Sequence, residues 1–162
     1  MKLSACLRVF NKADHGAALV ELGLLLPVMM LLVVGAVDFG RLYFEYIEVV
    51  NAAHAGAEYG SINSTDTSGM STAATQSAPD VSGLTVPTKA YGCECSDGTS
   101  YSASCTTVPT CTASAGPPAR STNVVYRVEV TTQATWTPLM PWPGVPSSLT
   151  LTNTAYMRGN YP

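Results

Sequence analysis

The sequence predicts an α+β protein: one long N-terminal transmembrane helix extending into a small extracytoplasmic antiparallel β domain with a disulfide-rich loop. Three observations carry this expectation. Ala17 to Val37 is a run of twenty-one residues with one charge, Glu21. Two segments near the C-terminus, Asn123 to Trp136 and Ser148 to Met157, alternate apolar with polar residues, the period of a half-buried strand. Four cysteines crowd one Gly/Ser/Thr-rich stretch between Cys93 and Cys111.

Composition narrows the function classes. Of the 162 residues only 12% are charged, against about a quarter in an ordinary soluble domain. The formal net charge is −3, and the eight Lys and Arg are scattered. A basic stripe of the kind that neutralises phosphates is missing, so the sequence points to no nucleic acid. The two histidines, His15 and His54, stand in neither metal-like nor triad-like settings. There is no HExxH, no GxSxG and no phosphate-cradling Gly loop, so the expectation is no catalytic residue, no cofactor and no metal.

The apolar run is long enough to span the roughly 30 Å hydrocarbon core at about 1.5 Å per residue. Lys2, Arg8 and Lys12 precede it against one Asp14, while Arg41 beyond it is outnumbered by Asp38 and Glu45. That asymmetry favours a cytoplasmic N-terminus. Phe39, Tyr43, Phe44 and Tyr46 fall where an interfacial aromatic belt sits. The helical period continues through Phe39, Leu42, Tyr43, Tyr46, Val50, Ala53 and Ala57, and Gly60 is the expected stop. A helix from Ala17 to Tyr59 would be roughly 65 Å long. Pro27 inside it should kink it or loosen one turn. The aromatic stripe packs either on the protein's own domain or on a partner.

Three readings compete for the N-terminal segment. A secretory signal would end at a small-x-small site, which Val34-Gly35-Ala36 offers, but the internal charge and the length are awkward for one. A second reading is a plain, uncut anchor. A lipoprotein based on Cys6 fails because no apolar stretch precedes that cysteine. The third rests on Gly16-Ala17-Ala18-Leu19-Val20-Glu21: a short basic leader ending in Gly, then an apolar helix with a carboxylate at its fifth position. This resembles the prepilin peptidase site of type IV pilin-like proteins, in which cleavage follows the Gly. The resemblance implies a cut between Gly16 and Ala17, with Glu21 as a processing and assembly residue. Otherwise Glu21 simply rests near the cytoplasmic helix end with its carboxylate at the headgroups, where a charge costs less than at mid-membrane.

Past the membrane the resemblance sharpens. Pro27 to Leu32, Asp38-Phe39-Gly40-Arg41-Leu42-Tyr43 and Asn51-Ala52-Ala53-His54-Ala55-Gly56-Ala57-Glu58-Tyr59 are similar to the TadE-like family of the tight-adherence (Flp) pilus machinery. Leu22 stands where that family usually has an aromatic residue, and His54 and Glu58 where it has Arg. The similarity covers Gly16 to Gly60 well and the C-terminal half more loosely.

From Ser61 to Asp80 the chain is polar, and Ser71 to Ala78 is either a short helix ended by Pro79 or a loop. Leu84 to Tyr91 reads as a strand interrupted at Pro87. The clearest strand runs from Asn123 to Trp136, with Val124, Tyr126, Val128, Val130 and Thr132 on one face. Pro138, Pro141, Pro143 and Pro146 exclude the next stretch from a central strand, and it reads as a stiff surface loop. Ser148 to Met157 should pair antiparallel with the preceding strand.

Cys93, Cys95, Cys105 and Cys111 suggest two disulfides on the extracytoplasmic side. A ring between Cys93 and Cys95 would be strained, so each bridges to Cys105 or Cys111. The zinc alternative lacks C-x2-C spacing and a nearby His. The expected organisation is a leader (1–16), a transmembrane segment (17–37), a helix extension (38–60) and an extracytoplasmic β-rich domain (61–162).

The family resemblance implies a minor pseudopilin that supports assembly of a Flp-type pilus. It would be a single-pass protein of the bacterial inner membrane with a periplasmic C-terminal domain. The implied partners are a prepilin peptidase, a TadF-like pseudopilin, the Flp pilin, the inner-membrane pilus assembly platform and membrane lipid. The alternative is a membrane-anchored extracytoplasmic domain for ligand binding or adhesion through the disulfide loop.

Overall fold

The computed structural model describes residues 14–111 and 123–160, with side chains from Gly16 to Gly159. Cys6 and the basic residues of the expected leader lie outside this range. The chain divides into two compact units, one ending at Arg41 and the other beginning at Leu42.

A long N-terminal helix, α1, runs Asp14–Ile62 and is assigned without a break through Pro27. In the first unit its side chains from Ala17 to Val33 are all exposed. It is the one helix among the described residues that is long and apolar enough to cross a membrane. One turn apart on this helix, Arg41 Nη1 lies 3.7 Å from Asp38 Oδ1.

The second unit is an antiparallel sheet covered on one face by helices. Strands β1 (Thr85–Cys95), β2 (Tyr101–Ser102), β3 (Val124–Trp136) and β4 (Leu149–Asn160) lie in the order β2-β1-β3-β4. Each neighbouring pair is antiparallel. The fold is thus the long apolar helix followed by a small antiparallel sheet that the sequence predicts. The alternation in β3 sets its orientation: Val128, Val130, Thr132, Ala134 and Trp136 are all buried, while the residues between them are half-buried or exposed.

Against this face pack Val49, Ala52, Ala53 and Ala57 of α1 and Met70 and Ala74 of a second helix, α2 (Thr67–Ser77). Small residues decide how closely the layers approach. A Cβ on Gly60 would stand 2.5 Å from Val128 Cγ1, and one on Gly56 would stand 2.9 Å from Val130 Cγ1. The buried Thr132 hydroxyl donates to the Val49 carbonyl at 2.7 Å, so its polar group enters the core with a partner.

Four features differ from the sequence-based expectations. The helix passes through Gly60 to Ile62, because this glycine serves close packing on Val128 and does not end the helix. Own-domain packing falls to the Val49–Ala57 stripe, whereas Phe39, Tyr43 and Tyr46 are exposed. The short helix starts earlier than Ser71, at Thr67, because Asp66 caps it. Strand β1 runs four residues past Tyr91 to Cys95, held by continuous pairing with β3, and its register shift falls between Thr85 and Thr88 beside Pro87.

The cap of α2 is also its electrostatic feature. Asp66 Oδ1 accepts from the Gly69 amide at 2.8 Å, and Asp66 Oδ2 accepts from the Tyr59 hydroxyl at 2.7 Å. The Gly69 amide, then the Tyr59 hydroxyl, hold the Asp66 carboxyl below its ordinary value. The same bond to Asp66 raises the Tyr59 phenol. A carboxyl lowered by folding stabilises the fold above its unfolded pKa, and that contribution is lost as pH falls through the folded value. Asp66→Ala is therefore expected to lower Tm by a few degrees at pH 7. The gap to wild type should narrow as the pH is taken below 4, where Asp66 protonates in the native protein as well. A thermal melt series across this range checks it, and a gap that stays constant with pH argues against the charged cap.

Candidate functional site

Two places on the chain bring chemistry-bearing residues together. The first is the start of α1. Gly16 and Ala17 lie in its first turn, and Glu21 follows one turn later on the same exposed helix. Among the described residues nothing lies within 4 Å of the position a Gly16 Cβ would take. First-turn amides have no intrahelical acceptor, so the backbone here opens at little cost. The carboxylate is the only charge between Ala17 and Val37.

The second place is on the sheet face opposite the helices. Glu94 of β1 is 5% exposed and sits between the two disulfide-bonded residues of that strand. Register puts Arg127 of β3 directly opposite Arg158 of β4. Like charges in direct opposition repel, and the Glu94 carboxylate resolves this by engaging both. Its Oε2 lies 3.5 Å from Arg127 Nη1, and its Oε1 accepts from Arg158 Nε. Arg158 Nη1 also donates to the Ser96 carbonyl at 3.3 Å. The Arg127 guanidinium lies over the rings of Tyr101 and Tyr156, 4.9 and 4.5 Å from their centroids. Glu94, Arg127, Tyr156, Met157 and Arg158 line an open concavity of about 520 Å³. Both oxygens of Glu94 are committed to guanidinium groups, so this cluster ties three strands together and offers no free base.

The sulfurs lie beside it. Cys93 bonds Cys105 and Cys95 bonds Cys111, with Cα separations of 5.1 and 5.5 Å. Of the pairings the sequence leaves open, this is the one in the structure. With all four sulfurs in disulfides, none is left as a thiolate for zinc.

The sequence-based reading missed Glu94, Arg127 and Arg158. Their sequence separations are 33 and 64 residues, and no local spacing signals the contact. The usable clue was a charged residue between two cysteines, a place where a carboxylate on a buried strand needs cationic partners.

An exposed apolar helix joined to a small disulfide-bonded antiparallel domain defines a class: the architecture fits a single-pass membrane protein. Residues 16–58 match the family model described as TadE-like protein, and this match covers the N-terminal region alone. No curated protein and no solved structure gives a significant match.

Proposed function

We propose that the chain is a minor pseudopilin that supports assembly of a Flp-type (tight adherence) pilus. A prepilin peptidase cuts it between Gly16 and Ala17. The observation that carries this reading is a coincidence of boundaries. The TadE-like match begins at residue 16, the glycine that precedes the apolar run Ala17–Val37 and stands five positions before the one carboxylate of that run. The exposed bond in the first turn of α1 suits a protein that is a substrate for another enzyme, and the role of the chain itself is structural.

In this reading the apolar helix sits in the bacterial inner membrane, with the N-terminus cytoplasmic and the disulfide-bonded domain periplasmic. Cleavage creates an amino group at Ala17, which is largely protonated at neutral pH if it behaves as an ordinary α-amine. Glu21 lies one helical turn away in the same membrane layer. The carboxylate meets that amine in its own helix or in a neighbouring pilin-like subunit, which fixes register between helices more than it adds stability. The TadF-like pseudopilin, the Flp pilin and the assembly platform are the partners this predicts.

Mass spectrometry of the mature N-terminus tests the reading. A chain beginning at Ala17 is expected, and Gly16→Val should remain uncut. A start at Met1 would leave a plain anchor, and a start at Val37 a secreted domain. Glu21→Gln should still be processed and inserted but fail to recover partner subunits after crosslinking. Normal recovery and normal piliation in that strain would remove the assembly role of Glu21.

A further inference from the structure

Within the Leu42–Pro162 unit, α1 and β3 run antiparallel in a definite order. Gly60 faces Val128, Gly56 faces Val130, and Val49 takes the hydrogen bond from Thr132. Trp136, the last residue of β3, lies about 13 Å beyond Thr132 along the strand. It therefore belongs to the end of the unit where α1 enters. Leu42, the first residue of the unit, and Val145, in the loop that follows β3, both pack on the common core. The β3–β4 loop, residues 137–148, thus projects from the end of the unit that holds Leu42, its first residue.

That end has an unusual surface. The loop carries no charged residue and four prolines. Leu139 and Met140 are 60% and 44% exposed, and Leu149 behind them is exposed too. On α1 at the same end, Tyr43 and Phe44 are 68% and 52% exposed, and Tyr46 and Ile47 are also open. Single exposed apolar side chains are ordinary, but a group gathered at one end marks an interaction surface. Toward the far end, Ile62 is the exposed large apolar residue of α1, about 30 Å away along the helix axis, and the disulfide-loop segment exposes Tyr101 and Val108 singly.

The chain itself identifies the occupant. Tyr43 follows Val37, the last residue of the apolar run, by six positions, about 9 Å of helix. The headgroup layer on one side of a bilayer is about 5–7 Å deep, so Tyr43 stands just past its outer edge, within reach of its own side chain. Tyrosine and tryptophan favour this layer, and an uncharged Pro-bearing loop enters it with little conformational entropy to lose. We propose that the loop 137–148, together with Tyr43 and Phe44 at the same end of the unit, seats the β domain in the phospholipid headgroup layer of the membrane that α1 crosses. The domain then has two membrane attachments, the helix and the Leu139–Met140 tip. This inference rests on the reading of residues 17–37 as a membrane span.

The test uses the full chain reconstituted in nanodiscs of phosphatidylethanolamine and phosphatidylglycerol. Benzoylphenylalanine is placed singly at Leu24, Leu139, Met140 or Ile62, all exposed side chains. After irradiation, phospholipid adducts are read by mass spectrometry on protein with both disulfides intact. Adducts at Leu24, Leu139 and Met140, severalfold above those at Ile62, are the expected result. Labelling at Leu24 with Leu139 and Met140 no higher than Ile62 overturns the loop proposal and leaves the span standing. Failure to label at Leu24 removes the span and the proposal together. Crosslinks from Leu139 or Met140 to a second copy in place of lipid assign the surface to self-association and also overturn it.

Discussion

Gly60→Val is expected to destabilise the Leu42–Pro162 unit by about 2–3 kcal/mol, because it forces a branched side chain into a filled space. Even the first added carbon would stand 2.5 Å from Val128 Cγ1 and 2.9 Å from Met70 Cε. The informative companion is Gly60→Ala. Alanine improves helix propensity by about 1 kcal/mol over glycine, so propensity alone predicts stabilisation. Contact with Val128 predicts the reverse, and contact should win because the strand backbone holds Val128 in place. Val128→Ala opens the space that the new methyl needs, so the double variant Gly60→Ala with Val128→Ala should lose less than the sum of its parts. Urea unfolding of the four proteins of this cycle measures the coupling. Additive losses would mean that the two residues do not meet.

Loss of a disulfide should weigh about as much. Replacing Cys93 and Cys105 together by alanine is expected to cost about 2–4 kcal/mol, chiefly through the freedom returned to the unfolded chain. The two bridges span 12 and 16 residues, so either pair should give a similar loss. Cys93 and Cys95 are fully buried on one strand face, two positions apart, and together they hold the end of β1 to the segment that ends at Cys111. Removing both bridges should lower Tm more than removing either one, and reductant should reproduce this in the wild-type protein. A wild-type melt unchanged by reductant would mean that the bridges contribute nothing to stability.

How much of this was legible in the sequence depended on the range of the forces involved. The apolar stretch of α1 announced itself through composition. The pairing of β3 with β4 announced itself through alternation, since one buried face imposes a period of two. Gly60 was misread because a glycine after a helical pattern looks the same whether it ends a helix or admits a neighbour. Only the position of Val128, far off in sequence, separates the two cases. Cys93, Glu94 and Cys95 do alternate, but two cysteines in a Gly/Ser/Thr-rich stretch read as part of a disulfide loop, so the end of β1 emerged only with its register on β3. Asp66 was a recognisable cap in principle, three residues before Gly69, but the surrounding Ser/Thr-rich stretch offers several equivalent caps. The Glu94 cluster had no local signal, and the pairing of the cysteines was left open because spacing constrains it only weakly. At the N-terminus the sequence reading and the family match cover the same segment.

The way α1 is fixed to the sheet has a mechanical consequence. Gly56, Gly60 and the bond from Thr132 attach the helix to β3, which has a partner strand on each side. From Val49 to Gly60 the helix runs along that strand, so tension carried by this stretch of α1 acts nearly parallel to the strands. Such a load strains the bonds between strands together, in shear, whereas a pull on an edge strand opens them one after another. A domain attached in this way resists a steady axial pull better than its modest core suggests, and it yields more easily to a force that peels β4 from the free edge.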